Sequence, residues 1–237
     1  MRENSIAYRN RIDTIKKDFS KMAAFYDDYI VKVTPYHKEM LESLVSHIPF
    51  ATEEPIKIIE LGCGTGIATY SIKQRYPNAY LKCIDMSPEM MDIAKERLKR
   101  FPNIEYELAD VTKYQFKGEY DVVVSFLSLM YMGNDENRRS VFEKAYNALK
   151  LGGIFIAGEV NISDNEYFQG THMKKWIEHM QKSYSDDFIE KEVLIKAKKH
   201  AKLSVLLDEI QCLKVIGFRH AEVFWKYYNF SVYGAIK

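Results

Sequence analysis

The pattern of apolar and polar residues changes character near Ile56. Before it, apolar side chains recur every three to four residues, first between Phe19 and Val33 and then between Met40 and Ile48. That spacing predicts amphipathic helices in the first fifty residues. From Ile56 onward, short apolar or alternating runs follow one another, which is typical of β-strands.

Five such runs predict strands, with helical stripes between them. The runs are "IKIIEL" (56–61), "YLKCIDM" (80–86), "IEYELAD" (104–110), "YDVVVSF" (120–126) and "GIFIAGEV" (153–160). Ser87 and Pro88 are typical of a helix start, and an apolar stripe follows them. A second stripe, 141–149, predicts another helix, which we expect to end at Gly152–Gly153. Strands that alternate with helices indicate a parallel sheet.

The alternation stops after Val160. Two stretches, 173–184 and 203–218, have helical spacing again. The closing segments "HAEVFWKYYNF" and "SVYGAIK" are rich in aromatic and β-branched residues, which predicts a terminal antiparallel strand pair.

Three glycines follow the first predicted strand in "ELGCGTG". A glycine-rich turn between a strand and a helix lets a ligand approach the backbone and meet free N–H groups. Gly62, Gly64 and Gly66 are spaced G-x-G-x-G, which differs from the dinucleotide fingerprint G-x-G-x-x-G. The loop also lacks the lysine of a phosphate-binding P-loop. The pattern therefore argues against a dinucleotide and against a triphosphate.

Acidic residues stand at the ends of the first three predicted strands. In a parallel sheet, Glu60, Asp85 and Asp110 would lie side by side at the ligand-binding edge. A carboxylate near the glycine loop can meet an ammonium group, one at the second strand can accept both hydroxyls of a ribose, and one at the third can accept from an adenine amino group. The three positions suit a nucleoside that carries an amino acid and no phosphate.

These motifs resemble those of the class I S-adenosylmethionine-dependent methyltransferases. The matching segments are "ELGCGTG", "CIDMSPEMMDIAKERL", "ELADV", "YDVVVSFLSLMYM" and "LKLGGIFIAGE", in order from about Ile56 to Val160. The resemblance implies an α/β fold with a Rossmann-like, seven-stranded, mostly parallel sheet of order 3-2-1-4-5-7-6. It also implies N-terminal helices, a helical cap between strands 5 and 6, the cofactor S-adenosyl-L-methionine and the product S-adenosyl-L-homocysteine.

The resemblance also implies roles for individual residues around that cofactor. Gly62, Cys63 and Gly64 would line the methionine moiety, with Gly66 completing the loop, Glu60 before it and Ser125 facing the methionine end. Asp85 would bind the ribose with Met86 beside the adenine, and Asp110 and Val111 would reach the adenine edge. It implies no metal site. Because a sulfonium methyl group is already activated, we assign no catalytic residue.

A closer resemblance is to the carboxy-S-adenosylmethionine synthase-like branch, through "TPYHKEML", the helical cap and the C-terminal segment. It implies that Tyr36 closes over the cofactor. That synthase holds an extra carboxylate with an arginine of the cap, whereas "EVLIKAKKH" here offers only lysines such as Lys196 and Lys198, which lack the bidentate fork. We therefore expect methyl transfer to a small-molecule acceptor, and keep a carboxy-S-adenosylmethionine synthase or tRNA-modification enzyme as the alternative.

Composition narrows the remaining possibilities. The 34 basic and 33 acidic residues nearly cancel, which does not favour nucleic acid or a membrane as partner. The three cysteines lack metal-ligand spacing, and no leader or apolar span stands out, so we expect a cytoplasmic protein, compatible with a homodimer. We expect a single domain (1–237), divided into an N-terminal helical lid (1–50), a cofactor-binding core (56–160), a helical cap (161–216) and a strand pair (217–237).

Overall fold

A computed structural model of the protein describes residues 5–237. Three helices precede the sheet, namely α1 (Ser5–Met22), α2 (Tyr26–Val33) and α3 (His37–Ser46), and a 3-10 turn at Ala23–Phe25 joins the first two. They agree with the helical periodicity of the first fifty residues. Residues 1–4 of the expected N-terminal lid lie outside the described residues.

The sheet has seven strands in the described part of the chain. They are β1 (Lys57–Leu61), β2 (Tyr80–Asp85), β3 (Ile104–Leu108), β4 (Tyr120–Phe126), β5 (Leu149–Val160), β6 (Arg219–Tyr227) and β7 (Phe230–Ile236). Their order is β3-β2-β1-β4-β5-β7-β6. β1 to β5 pair in parallel, and β7 is antiparallel to both β5 and β6. The predicted fold class, strand order and terminal strand pair are confirmed.

Three helices cross between the parallel strands: α4 (Ile67–Arg75), α5 (Pro88–Leu98) and α6 (Asp135–Ala148). α5 begins as predicted, because the Ser87 hydroxyl accepts the Met90 N–H at 3.3 Å. The predicted end of α6 at Gly152–Gly153 is wrong. α6 ends at Ala148 and the next residue, Leu149, is already extended and starts β5, so Gly152 takes its positive φ of 81° inside that strand.

The cap between β5 and β6 consists of α7 (Glu166–Met180), α8 (Asp186–Phe188), a π-helical segment (Ile189–Leu194), α9 (Ile195–His200) and α10 (Leu206–Ile216). α7 starts earlier than predicted because the Asn165 side chain accepts the Phe168 N–H at 3.1 Å. The cap is tied to α2 by the Trp176 indole, which donates to the Val33 carbonyl at 2.6 Å. None of the helices in residues 5–237 is long and apolar enough to cross a membrane.

Two apolar layers sandwich the sheet, because successive strand residues point to opposite faces. Ile58, for example, belongs to the layer that also holds α3 and residues of the cap. Its neighbour Ile59 belongs to the layer that holds α6 and α10. Both side chains are fully buried. This packing fixes the carboxyl ends of β1 to β5 at one edge of the sheet.

A buried polar network joins that edge to the end of the cap. Arg138 of α6 forms an ion pair with Glu209 of α10, and both side chains are nearly inaccessible, at 6% and 3%. Asn161 donates its side-chain amide to the other Glu209 oxygen at 3.2 Å. The Arg138 guanidinium also donates to the Lys202 carbonyl, and the Lys202 N–H donates to the Met130 carbonyl at 2.8 Å. The segment after α9 is therefore held against the loop that follows β4.

Candidate functional site

The glycine loop after β1 is built on positive backbone angles. Gly62, Gly64 and Gly66 have φ of 74°, 53° and 80°. The N–H groups of Gly62 and Cys63 both donate to the Ile84 carbonyl, at 2.8 and 2.9 Å, which anchors the loop to β2. These angles explain why glycine occupies all three positions.

The three glycines meet different neighbours. A Cβ on Gly62 would lie 1.8 Å from the Ser128 Oγ, so this position lets the loop after β4 pack closely. A Cβ on Gly66 would lie 3.2 Å from the Ala94 Cβ on α5. A Cβ on Gly64 would meet no protein atom within 4 Å. Gly62 and Gly66 thus serve close packing, whereas Gly64 borders open space.

Asp85 organises the centre of the site. Its Oδ2 accepts the Gly64 N–H and its Oδ1 accepts the Ser87 N–H, both at 2.8 Å. Burial raises the pKa of this carboxyl, and the backbone donors oppose that rise. Each carboxylate oxygen accepts more than one hydrogen bond, so both remain able to bind ligand hydroxyls.

Glu60 is buried at the end of β1, where the Thr69 hydroxyl of α4 donates to its Oε2. Burial raises the pKa of Glu60 to about 8, and the Thr69 hydrogen bond lowers it in part. A ligand ammonium nearby would favour the ionised carboxylate.

Asp110, at the end of β3, is held by its own loop and by α1. Its Oδ1 accepts the Thr112 N–H at 3.0 Å and the Thr112 hydroxyl at 2.7 Å. The Tyr8 hydroxyl of α1 donates to its Oδ2 at 3.4 Å, and Lys113 forms an ion pair with the same oxygen at 3.2 Å. The first helix is therefore drawn over the end of the sheet.

These groups surround one cavity, the cofactor cavity, which holds about 920 Å³ of empty space counted to its solvent opening. Eight of the eleven predicted site residues line it: Glu60, Gly62, Cys63, Gly64, Asp85, Met86, Asp110 and Val111. Helices α1 and α2 form its roof with Ile12, Lys16, Phe19, Tyr26 and Ile30. The N-terminal helices were expected as a lid, but the α1 residues that line the cavity were not predicted individually, because an apolar stripe has the same spacing on any buried helix face.

Three predicted site residues, Tyr36, Gly66 and Ser125, do not line this cavity. Tyr36 is 52% exposed, and its ring packs on Tyr227 with centroids 4.7 Å apart. Ser125 is fully buried, and its hydroxyl donates to the Leu61 carbonyl at 3.3 Å. Gly66 faces α5, as described above. Their contact with a cofactor stays a prediction.

The sequence of the cofactor-cavity segment matches a known protein family. A family model described as a methyltransferase domain matches residues 58–153, the segment that carries β1 to the start of β5. Together with the sheet order, this match supports a class I S-adenosylmethionine-dependent methyltransferase.

Two kinds of curated methyltransferase-family relatives resemble the chain. A carboxy-S-adenosyl-L-methionine synthase of Helicobacter pylori (strain G27) is 27% identical over 225 residues, which covers 92% of each chain. Malonyl-[acyl-carrier protein] O-methyltransferase 2 of Ilyobacter polytropus is 29% identical over 182 residues, or 77% of this chain. The chain spans 66% of the length of that O-methyltransferase, and 49% of a second one from the same organism.

Solved methyltransferase-fold structures are similar in fold. The DhpI-SAM-HEP complex superimposes with a TM-score of 0.66 at 16% identity and covers 95% of this chain and 97% of that one. Human N-acetylserotonin methyltransferase in complex with SAM has a TM-score of 0.61 at 14% identity and covers 94% of this chain and 56% of that one.

The residues of this methyltransferase fit S-adenosylmethionine, its family's cofactor. The missing Cβ of Gly64 leaves space where a side chain would stand, and Gly64 lines the cofactor cavity. Asp85 presents two part-buried carboxylate oxygens next to that space. Glu60 supplies a buried carboxyl that an ammonium would ionise. In the described residues, no cluster of His, Cys, Asp or Glu is arranged to hold a metal ion.

Proposed function

We propose that the cofactor cavity binds S-adenosylmethionine and that the protein transfers its methyl group to a small-molecule acceptor. The observation that carries this proposal is the convergence of the glycine loop, Glu60, Asp85 and Asp110 on one cavity. The names of the relatives, an O-methyltransferase for malonyl-[acyl-carrier protein] and a carboxy-S-adenosyl-L-methionine synthase, support a reaction of this cofactor. The cofactor supplies a methyl group that is already activated on a sulfonium centre.

The protein's own part would be binding and alignment. Asp85 would accept the ribose hydroxyls while it keeps its hydrogen bonds to Gly64 and Ser87, so binding would need no rearrangement of the loop. Phe19, Tyr26 and Ile30 of the roof would exclude water from the reacting atoms. Because the cofactor supplies the activated methyl group and the protein only binds and aligns, an acceptor whose pKa is low enough to lose its proton needs no dedicated general base.

Calorimetric titration with S-adenosylmethionine and S-adenosylhomocysteine tests this proposal. We expect micromolar affinity for both ligands. Folded protein that releases no heat with either ligand would contradict the assignment of the cavity. Native mass spectrometry of the purified protein, followed by denaturing release, would identify any copurified cofactor.

The alternative activity, synthesis of carboxy-S-adenosylmethionine, is favoured by the match to both full chains at 92% coverage. The positions of the positively charged side chains argue against this alternative, because an extra carboxylate on the cofactor would need a cation beside it. Lys196 is paired with Glu192 at 2.6 Å and lies outside the residues that line the cofactor cavity, as does Lys198. Within the described residues the cation that lines this cavity is Lys16 of α1. A released cofactor that is heavier by one carboxylate would establish the alternative activity.

The expected compartment and assembly stay predictions. Cys63, Cys83 and Cys212 are all free thiols, which agrees with a reducing cytoplasm. Size-exclusion chromatography with light scattering would distinguish a homodimer from a monomer, and a gel-shift titration would test the absence of nucleic-acid binding.

A further inference from the structure

A second cavity lies beside the first, between α1, α2 and the cap; we name it the cap cavity. It holds about 1430 Å³ of empty space counted to its solvent opening. Its walls include Met22, Tyr29, Trp176, Phe188, Val193 and Phe230. Neither the family match at 58–153 nor any predicted site residue assigns a role to this space.

The two cavities share one wall. Phe19, Tyr26, Ile30, Leu127 and Tyr131 line both of them. The Phe19 ring stands edge-on to the Tyr131 ring with centroids 5.0 Å apart. The next residue after Leu127, Ser128, packs on Gly62 of the glycine loop. The shared wall therefore stands beside the loop that we expect to hold the methionine end of the cofactor.

The walls of the cap cavity are mainly aromatic and aliphatic. Trp176 and Phe230 pack edge to face with centroids 5.8 Å apart, and Phe188 stacks on Tyr184 at 4.3 Å. Rings that present both faces and edges complement another planar ring. Tyr26, Tyr29 and Tyr131 also line this cavity. Burial raises the pKa of Tyr29 to about 12, so its hydroxyl stays protonated and able to donate.

The charged residues of this wall are already paired or exposed. His200 is hydrogen-bonded through Nε2 to the Asp18 carboxylate at 2.9 Å. Lys196 pairs with Glu192 at 2.6 Å. Lys21, at the end of α1, is exposed to solvent. For a carboxylate, the cations left in the described part of this wall are Lys21 at the solvent edge and His200, whose Nδ1 has no hydrogen-bond partner. A carboxylate or ammonium group among the aromatic side chains of the interior would be costly to bury.

We propose that the cap cavity is the acceptor site and that it takes a neutral aromatic molecule with a hydroxyl group, a phenol of one or two rings. This proposal rests on the proposed function. In the reaction the phenolic oxygen would bond to the methyl carbon, the electron pair of the breaking C–S bond would stay on sulfur, and the phenolic proton would leave to solvent.

Three probes of similar size test the class of acceptor. With saturating S-adenosylhomocysteine, calorimetry would compare 2-naphthol, 2-naphthoate and 1-decanol. We expect 2-naphthol to bind at least tenfold more tightly than the other two. Equal or tighter binding of 2-naphthoate or 1-decanol would overturn the proposal, as would the absence of 2-naphthol binding up to its solubility limit.

Variants that fill the cap cavity test the location. Ala197→Trp on α9 would place an indole in the cavity, and Lys198→Trp is the matched control, since Lys198 is exposed and lines neither cavity. We expect Ala197→Trp to weaken 2-naphthol at least tenfold and Lys198→Trp to leave it unchanged. Ala201→Trp, at a second lining position, repeats the test if the first variant does not fold.

The affinity of S-adenosylhomocysteine separates the two proposals. We expect it to stay within twofold of the unmodified protein in all three variants. Loss of cofactor binding in the unmodified protein would count against the proposed function itself. Folded Ala197→Trp and Ala201→Trp variants that bind 2-naphthol normally would refute the acceptor site alone.

Discussion

The cofactor cavity and the cap cavity share a wall but are lined by different kinds of chemical group. The floor of the first consists of strand ends, backbone N–H groups and carboxylates that are each held in place, such as Asp85 by two backbone donors. The second consists mainly of helix side chains, in which aromatic rings contact one another and charged residues such as Lys196 are paired. One surface is set by backbone geometry, and the other by the choice of side chains.

This difference bears on how function can change. A strand end and a positive-φ glycine leave few alternatives at the cofactor, because the backbone itself makes the contacts. A helical wall accepts other side chains of similar volume at modest cost. The same cofactor floor can therefore serve different acceptors when only the cap varies.

The largest expected effect concerns the buried ion pair between Arg138 of α6 and Glu209 of α10. Arg138→Met would leave Glu209 buried without its cation, so we expect the free energy of unfolding to fall by about 3–5 kcal/mol in urea titrations. Arg139→Met is the control, because Arg139 pairs with Glu143 on the surface at 2.9 Å and should cost less than about 1 kcal/mol. Equal losses in both variants would show that the network does not hold the cap.

The next largest effect concerns Asp85 in the floor of the cofactor cavity. Asp85→Ala removes the expected ribose acceptor and the partner of two backbone N–H groups, each a charge-assisted bond of roughly 1.5–3 kcal/mol. We expect calorimetry to show at least tenfold weaker binding of S-adenosylhomocysteine. Asp92→Ala, at an exposed position of α5, should bind normally. Unchanged affinity in folded Asp85→Ala would mean that the cofactor lies elsewhere.

A smaller effect separates backbone strain from ligand contact. Gly64→Ala and Gly152→Ala both place a Cβ on a positive-φ residue with no neighbour within 4 Å, so each should cost about 1–2 kcal/mol of stability. Only Gly64→Ala should also weaken S-adenosylhomocysteine, since Gly64 lines the cofactor cavity. Thermal melts and titrations would measure both quantities. Parallel behaviour of the two variants would argue that Gly64 does not face the ligand.

The smallest effect is a pH dependence. Burial raises the pKa of Glu60 from 4.5 to about 8, so between these values the folded protein holds a proton that the unfolded chain has released. The free energy of unfolding should therefore fall as pH rises through that window. Glu60→Gln should make this decline shallower between pH 6 and 8 in urea titrations, whereas Glu119→Gln, at an exposed position, should not. A slope unchanged by Glu60→Gln would contradict the buried assignment.

The two regions also differ in how much of them could be predicted. Strand runs, the Ser87 cap and the glycine spacing carry local signals, because each reflects a backbone requirement of a few neighbouring residues. The roof formed by Ile12 and Phe19 carries no such signal, since a helix face looks the same whether it covers a cavity or a core. Gly66 was placed in the site as the last glycine of the loop, and in the structure its neighbour is α5.

The cap cavity was the least predictable feature. Trp176 lies in the predicted helical stretch 173–184, but its place relative to the sheet depends on a contact across more than a hundred residues, its hydrogen bond to the Val33 carbonyl. The direct passage from α6 into β5 was missed for a related reason. Gly152 has the backbone angle expected of a helix end but takes it where the chain meets Lys237.

The indole bond between α7 and α2 has a practical consequence. The chain has two tryptophans, and one of them spans the seam between the cap and the N-terminal helices. Any separation of those two parts would expose this ring to water and break its bond to the Val33 carbonyl. The protein thus carries an intrinsic fluorophore whose emission wavelength registers opening of the acceptor side without an added label.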